Sequence, residues 1–168
     1  IFNVSAMSFG SLSSNAIEAL NGGAKIGGFA HNTGEGGLSP YHLKHGGDII
    51  WQIGTGYFGC REKEGGFSDT IFQENATKES VKMIEIKLSQ GAKPGHGGIL
   101  PASKVTGEIA AIRNVHIGQT VISPPSHSEF SDFAGMLHFI EKLRTLSGGK
   151  PVGIKLCIGV QSEFLSLC

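Results

Sequence analysis

Two lysines stand where lysine is costly. Lys87 lies between Ile86 and Leu88, and Lys155 between Ile154 and Leu156, each inside a short apolar run. A buried ammonium needs a partner or a ligand, because an uncompensated charge out of water is strongly unfavourable. One apt partner is the N1/O2 edge of a flavin, where negative charge gathers on reduction. The other reading is a structural ion pair, such as Lys155 with Glu85 on a neighbouring strand. Lys93 follows Lys87 by six residues with Gln90 between them. Two point charges and a neutral donor could clamp a dicarboxylate from several directions, although Lys93 alone reads equally as a surface cation. In the polar, glycine-rich stretch 32–37, Glu35 would position an amine or a cation, or else sit solvated in a tight turn.

The remaining reactive residue types point nowhere so definite. Seven histidines stand at 31, 42, 45, 96, 116, 127 and 138, and only His42 and His45 have a ligand-like spacing, without a second pair or a nearby cysteine. No metal site is expected from that pattern. Cys60, Cys157 and Cys168 are too scattered for a disulfide framework or a cluster, so a reducing, cytoplasmic setting is the expectation.

The elements that must hold these residues are legible from periodicity. Five apolar runs, at 1–8, 29–33, 48–53, 83–89 and 151–158, are short and mostly run into glycine-containing sequence, which predicts strands. Leu12, Ala16, Leu20 and Ala24 recur at helical spacing behind Ser13 and Ser14 and stop at Gly27-Gly28. Met136, Phe139, Ile140, Leu143 and Leu146 form a second stripe, and shorter helices are expected around 70–78, 107–113 and 162–168. Strands alternating with helices imply a parallel sheet, either doubly wound or part of a (β/α)8 barrel. Along 83–89, Ile84, Ile86 and Leu88 oppose Glu85, Lys87 and Ser89; along 151–158, Val152, Ile154 and Leu156 oppose Gly153, Lys155 and Cys157. A strand covered by helices on both faces should be apolar on both. One polar face therefore favours a barrel lumen.

Length and composition set the bounds. The chain has 168 residues, where a complete barrel needs about 250, so the expectation is a partial (β/α)8 barrel with about five of eight strands, in one domain, 1–168. Residue 1 is Ile, which fits an excerpt of a longer chain, inactive alone. With 14 Lys+Arg against 14 Asp+Glu there is no basic excess, which argues against nucleic-acid binding. No segment reaches the ~18 uninterrupted apolar residues of a membrane span. Glycine, 26 of 168, marks special backbone rather than disorder, because 39% hydrophobic residues suffice for a core.

Five stretches taken together carry a resemblance: residues 5–13, 32–40, 51–61, 86–101 and 146–157. They include Ser5-Ala6-Met7-Ser8-Phe9-Gly10 and Trp51-Gln52-Ile53-Gly54-Thr55-Gly56. In order and spacing they resemble the FMN-binding domain of the glutamate synthase family, especially its stand-alone members without an amidotransferase domain. The resemblance implies a (β/α)8 barrel in which the backbone of Ser5, Ala6 and Met7 lines the flavin ring. It places Asn32, Gln52, Lys87 and Lys155 at the ring's polar edge. It puts Lys87, Gln90 and Lys93 against 2-oxoglutarate, with Glu35 near the imine-forming region. In the family reaction, ammonia and 2-oxoglutarate give 2-iminoglutarate, and hydride from reduced FMN yields L-glutamate. A [3Fe–4S] cluster and partner subunits, glutaminase or electron donor, are implied for the parent protein; the cluster's cysteine ligands are not among these residues. A related enzyme using methylamine would share the barrel, and a non-catalytic subunit or relic would keep the fold without the chemistry.

Overall fold

Ser13 accepts a hydrogen bond from the Ala16 N–H at 3.3 Å and starts helix α1 (Ser14–Gly27). Gly28, at φ +67°, ends it in a left-handed conformation that costs glycine nothing. The chain then runs through β1 (His31–Asn32), α2 (Pro40–Leu43), β2 (Ile49–Ile53), α3 (Asp69–Ala76) and β3 (Val81–Lys87). It continues through β4 (Ile99–Leu100), α4 (Gly107–Arg113), β5 (Val121–Ile122), α5 (Phe133–Leu146), β6 (Val152–Lys155) and α6 (Gln161–Leu167). This is a computed structural model, and it describes residues 2–88 and 97–168.

Strands β1, β2, β3 and β6 form one parallel sheet in that order, each laid beside the one before it. A doubly wound sheet reverses its order at a switch point. This sheet does not, and its single direction of winding is consistent with a partial β/α barrel. The first apolar run, expected as a full strand, contributes only a parallel bridge from Val4 to His31. Val4 donates to Ala30 O at 2.9 Å and accepts from Asn32 N–H at 3.1 Å, and Met7 N–H reaches Asn32 O at 3.0 Å. The run follows β1, but β1 is two residues long and offers too short a template for a ladder.

The sheet has two unlike faces. Ile49, Trp51, Ile53, Ile84 and Ile86 are fully buried against Phe72 and Ala76 of α3 and Phe139 and Leu143 of α5. Trp51 stacks on Phe72 with ring centroids 5.3 Å apart. A bulge keeps this face apolar at the start of β3. Ile49 pairs with Val81 but Ile50 with Met83, so Lys82 is an extra residue, and Val81 and Ile84 bury on one side though three apart. The opposite face carries Asn32, Gln52, Glu85, Lys87 and Lys155.

One element had no signal in the apolar periodicity. Strands β4 and β5 form a separate antiparallel ribbon, Ile99 opposite Ile122 and Leu100 opposite Val121. Leu100 joins Phe9, Ile17, Val105, Ile109 and Ala110 in a second apolar cluster, which ties the ribbon and α4 to the N-terminal segment. Among the described residues no helix is long and apolar enough to cross a membrane.

Candidate functional site

The polar face is built by register. Asn32 is level with Ile50 and Ile50 with Met83; Gln52 is level with Glu85 and Glu85 with Gly153; Lys87 is level with Lys155. Partners in register on parallel strands share a face, so the two lysines stand side by side at the C-terminal end of the sheet. Gly153 shares this face beside Glu85, and a Cβ there would run into Met83 Cε.

Glu85 does not pair with Lys155. Its Oε2 accepts from Gln52 Nε2 at 2.6 Å and from Asn32 Nδ2 at 2.9 Å. The structural ion pair named as the alternative partner for Lys155 is thus replaced by two amide hydrogen bonds, because β2 and β1 deliver both amides to the carboxylate first. Asn32 Oδ1 accepts from Gly34 N–H at 3.0 Å, and Thr33 Oγ1 accepts from Gln52 N–H at 3.1 Å, which locks the turn after β1 onto β2. Asn32 and Gln52 are buried; Lys155 is half-buried and makes no ion pair among the described residues.

Lys87 has a carboxylate partner. Its Nζ donates to Glu35 Oε2 at 2.9 Å, with the lysine side chain 10% and the glutamate 19% exposed. The loop that brings Glu35 across 52 residues of sequence depends on glycine at its close approaches. Gly34 is at φ +65°, and a Cβ on Gly54 would lie 2.9 Å from Glu35 Cβ and 3.2 Å from its Oε2. Of the other expected site residues, Ser5 is exposed and Ala6 and Met7 are half-buried. Gln90 and Lys93 lie outside the described residues.

Met7 is held by a histidine with a defined tautomer. His42 Nδ1 accepts from the Ser39 N–H at 3.2 Å, so the proton sits on Nε2, which donates to Met7 O at 3.0 Å. Burial keeps this imidazole neutral by pushing its pKa down. His31, fully buried with its ring 5.2 Å from that of His42, is lowered to about 4, by burial first and then by His42.

Three further residues reach the site from loops and helix ends, with no spacing that announces them. Arg113, at the end of α4, donates from Nη2 to Phe9 O at 3.3 Å and lies 5.0 Å over the Phe58 ring. A Cβ on Gly36 would touch that same Nη2 at 2.9 Å, so the guanidinium packs directly under the Glu35 loop. Burial lowers its pKa while Glu35 opposes the shift. Tyr57 and His127, 70 residues apart, meet at 3.1 Å beside Lys87.

The arrangement offers two cations in register, one matched by a carboxylate and the other not, beside an amide-rich floor at the strand ends. Such a surface suits a planar anion or a dicarboxylate.

Comparison with known proteins identifies the family. Residues 1–167 match the family model described as the conserved region in glutamate synthase. The chain is 51% identical over 164 residues to the glutamate synthase large subunit-like protein YerD of Bacillus subtilis, covering 97% of this chain and 31% of that protein. It is 36% identical over 152 residues to the archaeal-type glutamate synthase [NADPH] of Thermotoga maritima, covering 90% and 27%. Against the archaeal glutamate synthase [NADPH] of Methanocaldococcus jannaschii it is 36% identical over 154 residues, covering 91% and 28%. The chain therefore spans less than a third of the length of these relatives. A one-way parallel sheet with a cationic polar face, together with a family match that runs nearly end to end, makes this chain a member of the glutamate synthase family.

Proposed function

We propose that this chain supplies the flavin- and diacid-facing part of an FMN-dependent oxidoreductase that converts 2-oxoglutarate and ammonia to L-glutamate through 2-iminoglutarate. The observation that carries the reading is Lys155 in register with Lys87 and without a carboxylate of its own among the described residues. That surplus positive charge fits an anionic ring edge, and the neighbouring amides of Asn32 and Gln52 fit its carbonyl and ring-nitrogen acceptors. The backbone of Ser5, Ala6 and Met7, pinned through Asn32 and His42, offers a wall for the ring. Bound there, FMN would supply the hydride.

The chain's own residues bind and orient. An ammonium has three donors, and Glu35 takes one from Lys87, so Lys87 can also hold a carboxylate of the diacid. Gln90 and Lys93 would add a neutral donor and a second point charge to that grip. Glu35, as an acceptor, would hold the N–H groups of ammonia and of the imine over the reacting carbon. Positioning of this kind is the protein's main contribution when a cofactor carries the electrons. Electrons and ammonia would arrive from other parts of the protein or from partner subunits, with a [3Fe–4S] cluster on the electron route. NADPH, named in two of the relatives, is the first donor to try.

The test uses the complete gene product, reduced chemically under anaerobic conditions and mixed with 2-oxoglutarate and ammonia. Glutamate in proportion to bound flavin is the expected result. Product with methylamine alone would reassign the amine, and no amino acid from either would overturn the reading.

A further inference from the structure

The segment between β5 and α5 crosses the C-terminal ends of β2 and β3 and is fastened there three times. Thr55 Oγ1 donates to Pro124 O at 2.6 Å. Tyr57 Oη accepts from the backbone N–H groups of Ser128 at 3.1 Å and Glu129 at 3.2 Å. His127 Nε2 contacts Lys87 O at 2.9 Å, and His127 Nδ1 contacts Tyr57 Oη at 3.1 Å.

These contacts fix the protons. A carbonyl only accepts, so Nε2 carries the hydrogen and donates to Lys87 O. Nδ1 is then bare and accepts from the Tyr57 hydroxyl, whose oxygen takes the two backbone N–H groups. Every polar atom of the Tyr57–His127 pair is satisfied, and the imidazole is further gripped by Phe130, stacked at 5.0 Å with an interplanar angle of 20°. Holding such a network needs unusual backbone: Tyr57, a bulky residue, sits at φ +50°.

What the imidazole holds is the key point. The β2–β3 ladder ends at the rung Ile53–Ile86, after which β2 turns away at Gly54. The Lys87 carbonyl lies one residue past that rung, on the side that β2 has left. Strand β6 holds the same peptide from the other side, where the Leu88 N–H donates to Lys155 O at 2.8 Å, and His127 takes the place of β2. The peptide plane that His127 fixes belongs to the residue whose ammonium meets Glu35. We infer that His127 is a positioning residue for Lys87, acting through the lysine's own carbonyl, and that Tyr57 sets the tautomer that makes this possible. The importance of Lys87 for the diacid rests on the function proposed above; its immobilisation by His127 does not.

The test compares His127→Phe, which keeps ring volume but lacks the donor, with His127→Gln, whose amide nitrogen reaches the Nε2 position. Both are made in the complete gene product. The first readout is the rate of amine labelling at Lys87, followed by mass spectrometry against the other lysines. Labelling of Lys87 should rise about five-fold in the phenylalanine variant, the factor equivalent to one net hydrogen bond, and return to within about two-fold of wild type in the glutamine variant. The second readout is kinetic, with KM for 2-oxoglutarate rising by a similar factor while kcat moves less. Should the phenylalanine variant not fold, His127→Asn, whose amide reaches only to the Nδ1 position, replaces it. Labelling of Lys87 unchanged in the variant without the donor would overturn the inference. Raised labelling in a protein whose wild type makes no glutamate would overturn the proposed function and leave the positioning role standing.

Discussion

Glu85 is the residue on which the polar face turns, because one of its oxygens satisfies two buried amides at once. Glu85→Leu would leave both donors unpaired and should destabilise the fold by about 2 kcal/mol or more, read as a lower urea midpoint at unchanged slope. A midpoint equal to wild type would mean that water replaces the carboxylate freely. The buried histidines make a second prediction. His31 is lowered to about 4 in the fold against 6.5 unfolded, and His42 and His127 shift the same way through burial. The unfolded chain therefore binds more protons across that window. The His31 contribution is whole above about pH 6.5 and is lost as pH falls toward 4, up to about 3 kcal/mol, and His42 and His127 lose stability in the same direction on acidification. Thermal midpoints should drop between pH 7.5 and 5, and His31→Leu should flatten part of the slope; an identical slope in the variant would remove His31 as its cause. Lys87 and Lys155 stand out in the sequence because each interrupts an apolar run, and Glu35 because it sits in a polar, glycine-rich stretch after one, whereas Asn32 and Gln52 come only from the family resemblance. Tyr57, His127 and Arg113 do not stand out, since each reaches the site from a loop or helix end by contacts 40 or more residues away in sequence.

At the scale of elements, the helical stripes of α1 and α5 and the strands β2, β3 and β6 follow from period and punctuation. Burial on one face enforced that pattern. The two-residue strands carry too few side chains to show any period, which is why the β4–β5 ribbon was not foreseen and why the first run does not form a ladder. What defines the ribbon is instead a close approach: a Cβ on Gly97 would run into Ser123 O, a backbone atom with no freedom to yield. Gly97→Ala should therefore detach the ribbon from its register. Faster amide exchange at Ser123, whose N–H bonds Gly98 O, would show it, with the ladder from β1 to β6 unaffected. Unchanged exchange at Ser123 would mean that the ribbon keeps its register with alanine at 97.

At the scale of the whole molecule, the sequence reading separated a barrel from a doubly wound sheet by a polar face alone, and the strand order supplies the independent reason. Winding in one direction keeps every strand end on the same rim, and that common rim carries Glu35 after β1, Thr55 and Tyr57 after β2, and Lys87 and Lys155 at the ends of β3 and β6. We propose that this rim binds an anionic ring through an ammonium, that of Lys155, which has no carboxylate partner among the described residues. Titration of FMN into the flavin-stripped complete gene product, wild type against Lys155→Met, tests it most directly. Loss of a charge-assisted contact should weaken binding about ten-fold or more with the circular dichroism unchanged. Equal affinity in the two proteins would contradict the claim.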